Sequence, residues 1–187
     1  MKQLSLAICI GLVFVIGGCA TTGGTTPIER REAIQSMKNQ VLTELYKAKP
    51  DVKSQIASAP GYAVFSNANV NLVLASFGGG YGVARNNKTG TDTYMKMGEV
   101  GLGLGLGVKD FRAVFVFHTD ASLNNFIENG WAFGAQADAA AKASDKGAAV
   151  GGEITADNVT IYQLTETGLA LQATIKGTKY WKDEILN

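Results

Sequence analysis

The sequence has few of the residues that usually build catalytic or metal sites. Of its 187 residues, one is histidine (His118) and two are cysteine (Cys9 and Cys19). A single histidine excludes a multi-histidine metal site, and any Ser-His-Asp triad would have to use His118. The alternative is that His118 is a structural residue at the end of a strand, just before a helix N-cap. We therefore predict a protein that is not an enzyme and has no metal site and no cofactor.

Net charge is also nearly absent. The chain has 17 Lys and Arg against 16 Asp and Glu, and without residues 1–18, which contain only Lys2, the two totals are 16 each. A neutral chain lacks the general attraction that nucleic-acid binding needs, so we expect no nucleic-acid partner. Proline is scarce at 3 residues, whereas the 23 glycines alternate with apolar residues, which favours one packed, turn-rich β domain.

The first 18 residues have the layout of a secretory signal: Lys2, an apolar core, and then Gly17 and Gly18. The apolar core is too short to span a membrane comfortably as a helix. Ile16 to Cys19 resembles a bacterial lipobox, which implies cleavage before Cys19 and acylation of that cysteine. The alternative is an ordinary secreted protein with a free thiol. Because Cys9 lies in the discarded part, the mature chain cannot form an internal disulfide.

The lipobox predicts three segments: a signal peptide over residues 1–18, a lipidated cysteine and tether over 19–27, and one domain over 28–187. Several acyl chains, palmitate among them, hold a protein stably at a membrane. Ala20 follows the cysteine, which is typical of sorting to the outer membrane, facing the periplasm. Residues 20–26 are small and polar, and seven extended residues reach about 25 Å at most.

The domain begins with helical patterns and continues with strand patterns. Pro27 to about Lys49 has apolar residues at helical spacing, and Asp51 to Ala59 predicts a second short helix. The first helix could lie on a membrane or pack its apolar stripe on a sheet. Its stripe consists of Ile34, Met37, Val41 and Leu45.

Strand-like patterns follow in Tyr62–Ser66 and Val70–Phe77, and Tyr81–Gly98 predicts a hairpin. The most restrictive stretch is the glycine ladder, Gly98 to Val108, in which glycine and leucine alternate from Gly101 to Gly107. A two-residue period predicts a strand with one bare face, and it does not match a phosphate-binding loop. Lys109-Asp110 is then predicted to be a turn.

Further along, both faces of Phe111–His118 are largely apolar, which predicts a central strand. Asp120 is predicted to cap a helix that ends near Glu128. Trp131–Ser144 is compatible with a helix or a strand, and its alternating alanines favour a strand. A last hairpin is predicted over Asn158–Lys176, before a short C-terminal segment.

The most credible binding residues are cations on the strands and turns around the ladder. Arg85 and Lys96 are predicted to meet across the hairpin, while Lys109 and Arg112 border the next turn. Arg and Lys donors of this kind bind phosphate groups, so these four residues are candidates for contacting anionic headgroups. The alternative from spacing alone is a set of scattered, solvated charges.

Several glycine-rich and apolar segments together resemble the SYLF lipid-binding domain family in its bacterial lipoprotein branch, over about residues 30–187. They are G-Y-A-V-F from Gly61, G-G-G-Y-G-V-A-R from Gly78, the ladder, G-A-Q-A-D-A from Gly134, and Y-Q-L-T-E-T-G-L from Tyr162. The resemblance implies binding of membrane phospholipids, with Arg85 where the family commonly ends its first glycine-rich strand. Thr91 to Met95 stand where the family usually has W-S-x-P.

These observations predict an α+β fold in which N-terminal helices pack on a strongly bent, mostly antiparallel, glycine-rich β-sheet of barrel-like curvature. The expected function is a non-enzymatic envelope lipoprotein, anchored through Cys19, whose domain binds anionic phospholipid headgroups at the membrane surface. The alternative function is a structural or assembly factor that binds another envelope protein.

Overall fold

The protein was analysed as a computed structural model that describes residues 26–72, 75–101, 107–132, 153–156, 158–165, 168–169 and 178–187. Signal-peptide and tether residues 1–25, Cys19 among them, lie outside this set, as do ladder residues 102–106. In the part of the chain that the structure describes, no helix combines the length and the apolar character needed to cross a membrane.

Two helices precede the sheet, as the sequence predicts. Helix α1 spans Pro27–Ala48 and α2 spans Val52–Ser58. Thr26 begins α1 with a capping box: its hydroxyl accepts from the Glu29 N–H, while the Glu29 carboxylate accepts from the Thr26 N–H. These bonds satisfy amide groups that have no partner within the first helical turn.

The described strands form a single sheet in which every pair is antiparallel. The strands are β1 Gly61–Leu72, β2 Ala75–Asn86, β3 Asp92–Gly101, β4 Gly107–Phe117, β5 Trp131–Ala132, β6 Glu153–Ala156, β7 Val159–Thr165, β8 Gly168–Leu169 and β9 Thr178–Lys182. Their order in the sheet is β5-β9-β3-β2-β1-β4-β7-β6, with β8 beside β7. The six central strands, from β9 to β7, form a half-barrel, which confirms the predicted α+β class.

The bend of the sheet follows from ring contacts between distant strands. Neighbouring strands lie about 4.8 Å apart, so β4 and β9 would be about 19 Å apart in a flat sheet. Yet the ring centroids of Phe115 on β4 and Tyr180 on β9 are only 5.1 Å apart. Phe65 on β1 lies 4.7 Å from the same tyrosine ring. The sheet must therefore curl around these side chains, and its concave face encloses an aromatic core.

Helix α3, Asp120–Asn129, closes that core by burying Leu123 and Phe126 against it. The prediction that Asp120 caps this helix is wrong. Thr119 is the cap, because its backbone is extended and its hydroxyl accepts from the Ser122 N–H at 3.1 Å. Asp120 is instead the first helical residue, and its carboxylate pairs with Lys88.

The convex face of the sheet is covered by α1 and α2. Ile34, Val41 and Leu45 of the predicted stripe are at most 1% exposed, and Met37 packs against the same core. They contact Val64, Val83, Val114 and Tyr162 on four neighbouring strands. Of the two predicted placements, this stripe therefore packs on the sheet.

The described ends of the glycine ladder belong to two strands. Gly98 to Gly101 end β3 and Gly107-Val108 begin β4, and the pair β2-β1 lies between those strands. The prediction that one strand contains the whole ladder is wrong at its ends, and Leu102 to Leu106 lie outside the described residues. Lys109-Asp110 is not a turn, because both residues pair with β1 inside β4.

Other strand predictions are corrected or confirmed by the register. Val70–Phe77 is not one strand, since Val70 on β1 pairs with Phe77 on β2. Alternation alone does not show where a chain reverses. The hairpin of β2 and β3 and the central position of β4 are confirmed. Only Trp131-Ala132 of the ambiguous segment is described, as strand β5. The pairing of β7 with β8 confirms the beginning of the final hairpin, and its residues 170–176 lie outside the described residues.

Candidate functional site

Three of the predicted cations lie on the convex face. Lys96, Tyr81, Ser66 and Arg112 are directly opposite one another on β3, β2, β1 and β4. Residues opposed in this way point to the same side of a sheet. Arg85 shares that side but lies four residues from Tyr81 along β2, which is about 13 Å.

The prediction that Arg85 and Lys96 meet across the hairpin is therefore wrong. The register places Arg85 opposite Asp92 and Lys96 opposite Tyr81. The turn between β2 and β3 is centred nearer to Arg85 than to Lys96, so these two residues are not opposite each other. The two cations therefore lie in different rows of the sheet. Arg85 and Lys96 belong to two separate clusters of side chains, both next to α1.

The first, the Asp92 cluster, consists of Gln35, Lys38, Arg85, Asp92 and Tyr94. The Arg85 guanidinium donates to Asp92 at 3.2 Å, and the Gln35 amide donates to the other carboxylate oxygen at 3.0 Å. Gln35 also donates to the Tyr94 hydroxyl at 3.2 Å. Lys38 comes from α1, donates to Gln35 and lies 4.0 Å from Asp92. Two cations thus share one carboxylate.

Burial affects ionisation in this cluster. Desolvation lowers the pKa of Lys38 below its usual value, opposed by the attraction of Asp92 and assisted by the repulsion of Arg85. Desolvation also raises the pKa of the neighbouring Tyr62. Burial disfavours the charged form of Lys38, so an additional anion near its ammonium group would stabilise that form.

The second, the Asp183 cluster, consists of Arg30, Lys96 and Asp183. The Asp183 carboxylate is nearly inaccessible, with 3% of its side chain exposed, and it lies 3.2 Å from the Lys96 ammonium and 3.9 Å from the Arg30 guanidinium. The same carboxylate accepts from the Ile185 N–H. It therefore joins the beginning of α1, strand β3 and the C-terminal segment, and again two cations share one carboxylate.

Arg112 and Lys109 complete the predicted set. Arg112 forms an ion pair with Glu44 near the end of α1. Burial raises the pKa of the Glu44 carboxyl, but hydrogen bonds from Gln40 and Arg112 and the positive charges of Arg112 and Lys47 lower it. The net effect is a pKa below the usual value. Lys109 lies opposite Asn69 within β4, and its side chain is outside the described set.

Cations outnumber carboxylates where α1 meets the sheet. Among the described residues, six cationic side chains lie at this junction, and three carboxylates form ion pairs with five of them. The cations are Arg30, Arg31, Lys38, Arg85, Lys96 and Arg112, and the carboxylates are Glu44, Asp92 and Asp183. Arg31 instead donates to the Leu186 carbonyl oxygen, so an anionic ligand would share the other five cations with acids of this chain.

Sequence reasoning missed Arg30, Lys38 and Asp183. A signal existed for Lys38, because it falls four residues after Ile34 and therefore next to the apolar stripe. Nothing in the local sequence indicates that Asp183 would be buried. Its partners are on α1 and β3, far away along the chain.

Other locations offer less for anion binding. The His118 ring is hydrogen-bonded to the Thr160 hydroxyl at 2.7 Å. No group of three or more His, Cys, Asp or Glu residues able to hold a metal occurs in the part of the chain that the structure covers. An open cleft beside α3 is lined by uncharged side chains, among them Ser122, Asn125 and Asn158.

Comparisons with known proteins match this chain to a family model and to a relative. The family model described as "Ysc84: Las17-binding protein actin regulator" matches residues 98–187. The chain is also 38% identical over 164 residues to Beta cell expansion factor A from Aeromonas veronii. That alignment covers 86% of the chain and 60% of the relative, so the chain spans about three-fifths of the relative's length.

Proposed function

Because this chain belongs to the Ysc84/SYLF domain family, we propose that it is a non-enzymatic lipoprotein of the bacterial cell envelope whose domain binds anionic phospholipid headgroups. The lipobox-like stretch before Cys19 supports an anchor at the membrane, and Ala20 favours the outer membrane facing the periplasm. Lipid binding is the function that the family resemblance implies.

The observation that carries the proposal is the surplus of cations where α1 meets the sheet. In both the Asp92 and Asp183 clusters, two cations share one carboxylate. The side chains of Arg85 and Lys96 are each about one-third exposed, at 35% and 34%, so a phosphate could reach them without unfolding the cluster. Arg presents a fork of N–H donors and Lys a point charge, the two common ways of binding phosphate.

The proposal predicts that the domain binds vesicles because of their negative charge. The test uses the mature-length chain, residues 19–187, with Cys19→Ser so that no acyl chain contributes. We expect flotation with vesicles of phosphatidylcholine and phosphatidylglycerol, little with phosphatidylcholine alone, and weaker binding as salt is added. Arg85→Ala should weaken binding about fivefold, since a cation near an anionic surface contributes about 1 kcal/mol.

Lys53→Ala is the matched control, because it removes one exposed cation from α2. It should bind like the parent chain. Equal recovery with neutral and anionic vesicles, unchanged by Arg85→Ala, would overturn the proposal.

A second candidate function is a structural or assembly factor that binds another envelope protein. It is favoured by the description of the matching family as Las17-binding, which names a protein as the partner of a family member. Crosslinking in intact cells separates the two functions. A single dominant protein adduct, together with no preference for anionic vesicles, would support this second function.

A further inference from the structure

Three large apolar side chains are exposed in the described part of the chain, two of them beside Asp183 and one in the first turn of α1. Ile28 is 65% exposed, Ile185 is 59% exposed and Trp181 is 39% exposed. Together with Lys179 they define a surface that we call the Trp181 corner. Large exposed apolar groups that gather on one surface indicate a binding site, whereas scattered ones do not.

The contacts around the corner explain why its members are neighbours. Trp181 and Ile185 each lie two residues from Asp183, whose carboxylate pairs with Arg30 near the beginning of α1. One turn after Ile28, the Arg31 guanidinium donates to the Leu186 carbonyl at 2.8 Å. The first turn of α1 is therefore attached to the segment that contains both other apolar residues.

Trp181 is held on the convex face by the first glycine of the ladder. A Cβ atom at Gly98 would lie 3.1 Å from the indole ring, so the absence of a side chain lets the ring lie against β3. Tyr180 points to the concave core, and its neighbour Trp181 must therefore point outward. By the same alternation Lys179 points to the side of Trp181, whereas Lys182, the last residue of β9, points to the side of Tyr180; both are exposed.

We propose that the Trp181 corner is the surface by which this domain seats itself on an anionic phospholipid bilayer. The inference rests on the proposed function and specifies which part of the domain meets the membrane. Indole rings favour the boundary between headgroups and acyl chains, where one side is apolar and the other wet. Lysines extend their aliphatic stems along such a boundary and keep their ammonium groups among the phosphates. Isoleucines at the rim add apolar area.

The position of the predicted anchor favours a bilayer over a protein partner. Thr26 directly precedes α1, and Ile28 lies in the first turn of that helix. Residues 19–25 separate Thr26 from the lipid on Cys19, and seven residues reach about 25 Å when extended. An anchored domain therefore keeps the Trp181 corner within one short tether of the membrane surface.

Charge is compatible with the same orientation. Lys179 and Lys182 carry exposed positive charge, whereas the Asp183 carboxylate forms ion pairs with Lys96 and Arg30. Glu184 and Glu29 are exposed acids next to Ile185 and Ile28, and they offset the two lysines, so little positive surplus remains. The binding should consequently depend on both the apolar side chains and the lysines.

The first measurement follows Trp181 itself. In a Trp131→Phe background of residues 19–187 with Cys19→Ser, Trp181 is the remaining tryptophan. We expect its emission to shift to the blue with phosphatidylglycerol-containing vesicles, and to be quenched by brominated acyl chains. Vesicle binding without either change would overturn the inference while leaving the proposed function intact.

The second measurement is flotation of two double variants. Ile28→Asn with Ile185→Asn removes apolar area, and Lys179→Gln with Lys182→Gln removes charge; each should weaken binding about tenfold. The control is Lys47→Gln with Lys53→Gln, which removes the same charge from exposed positions at the end of α1 and on α2. This control variant should bind the vesicles more tightly than the variant with Lys179→Gln and Lys182→Gln.

All the side chains substituted in the flotation variants are exposed, so their unfolding curves should match the parent and show that folding is preserved. If the parent binds anionic vesicles and both corner variants bind equally well, the corner is not the contact surface and only this inference fails. If the parent does not bind vesicles, the proposed function fails with it. Loss of a crosslinked protein adduct in the corner variants, with vesicle binding unchanged, would assign the surface to a protein partner and overturn the inference.

Discussion

Gly82→Ala is expected to lower the free energy of unfolding by about 3 kcal/mol, toward the upper end of the cost of overpacking a core. A Cβ atom at this position would lie 2.3 Å from the Val64 carbonyl oxygen and 2.4 Å from the Phe65 ring. The first neighbour is backbone of the adjacent strand, and the second is a fully buried ring. Neither can move away without separating β1 from β2 or repacking the aromatic core.

The matched control for this prediction is Gly79→Ala, three residues away on the same strand. A Cβ atom there meets nothing within 4 Å, and alanine restricts the unfolded chain more than glycine does. We expect Gly79→Ala to be neutral or slightly stabilising in urea unfolding. Similar losses in both variants would show that general strand propensity, and not space beside Phe65, determines the effect.

Phe115→Ala is expected to cost about 3–5 kcal/mol of unfolding free energy, the range for removing a buried aromatic ring. Phe115 is fully buried and contacts Phe65, Phe126, Trp131 and Tyr180. These rings come from β1, α3, β5 and β9, so the contacts join both sides of the bent sheet. Removing the ring leaves a cavity between β4 and β9 in the aromatic core.

Two measurements check this prediction. Chemical unfolding gives the loss of stability, and near-ultraviolet circular dichroism reports the fixed environment of the neighbouring Trp131. Phe115→Leu, which keeps most of the volume but not the ring, should cost much less than alanine. A Phe115→Ala protein as stable as its parent would show that the aromatic contacts do not hold the sheet closed.

Neither substitution touches the cations of the convex face. The aromatic core lies on one side of the sheet, and the Asp92 and Asp183 clusters lie on the other, under α1. At temperatures where the variants remain folded, vesicle binding should therefore resemble that of the parent. This separates the residues that maintain the fold from the residues proposed to meet the membrane.

Local patterns predicted most of the elements. Pro27 and the apolar spacing indicate α1, and the turn formers Asn86 to Gly90 lie at the reversal between β2 and β3. Two apolar faces correctly indicate that β4 is central. These features follow from the conformational preferences of residues that are close together in the sequence, so they can be recognised from the sequence alone. The failures at Val70–Phe77 and at Lys109-Asp110 concern where strands begin and end, which depends on the partner strand.

The candidate site was predictable by residue type but not by arrangement. Arg85, Lys96 and Arg112 do lie on one face, yet their partners come from elements distant in the sequence. Asp183 is 87 residues beyond Lys96, and Glu44 is 68 residues before Arg112. An ion pair of this kind forms because the fold brings two segments together, and no local pattern anticipates it.

By itself, then, the sequence determined the helices, the alternating strands, the glycine-rich character of the sheet and the family. The glycine ladder shows what the tertiary structure decided. Its alternation predicts one strand, but its described ends belong to β3 and β4, separated by two other strands. Gly98 acquires its role only in the fold, where Trp181 from the far end of the chain lies against it. The reason is physical: periodicity reports how a segment divides its two faces, whereas the bend of the sheet and the packing of α1 decide what covers each face.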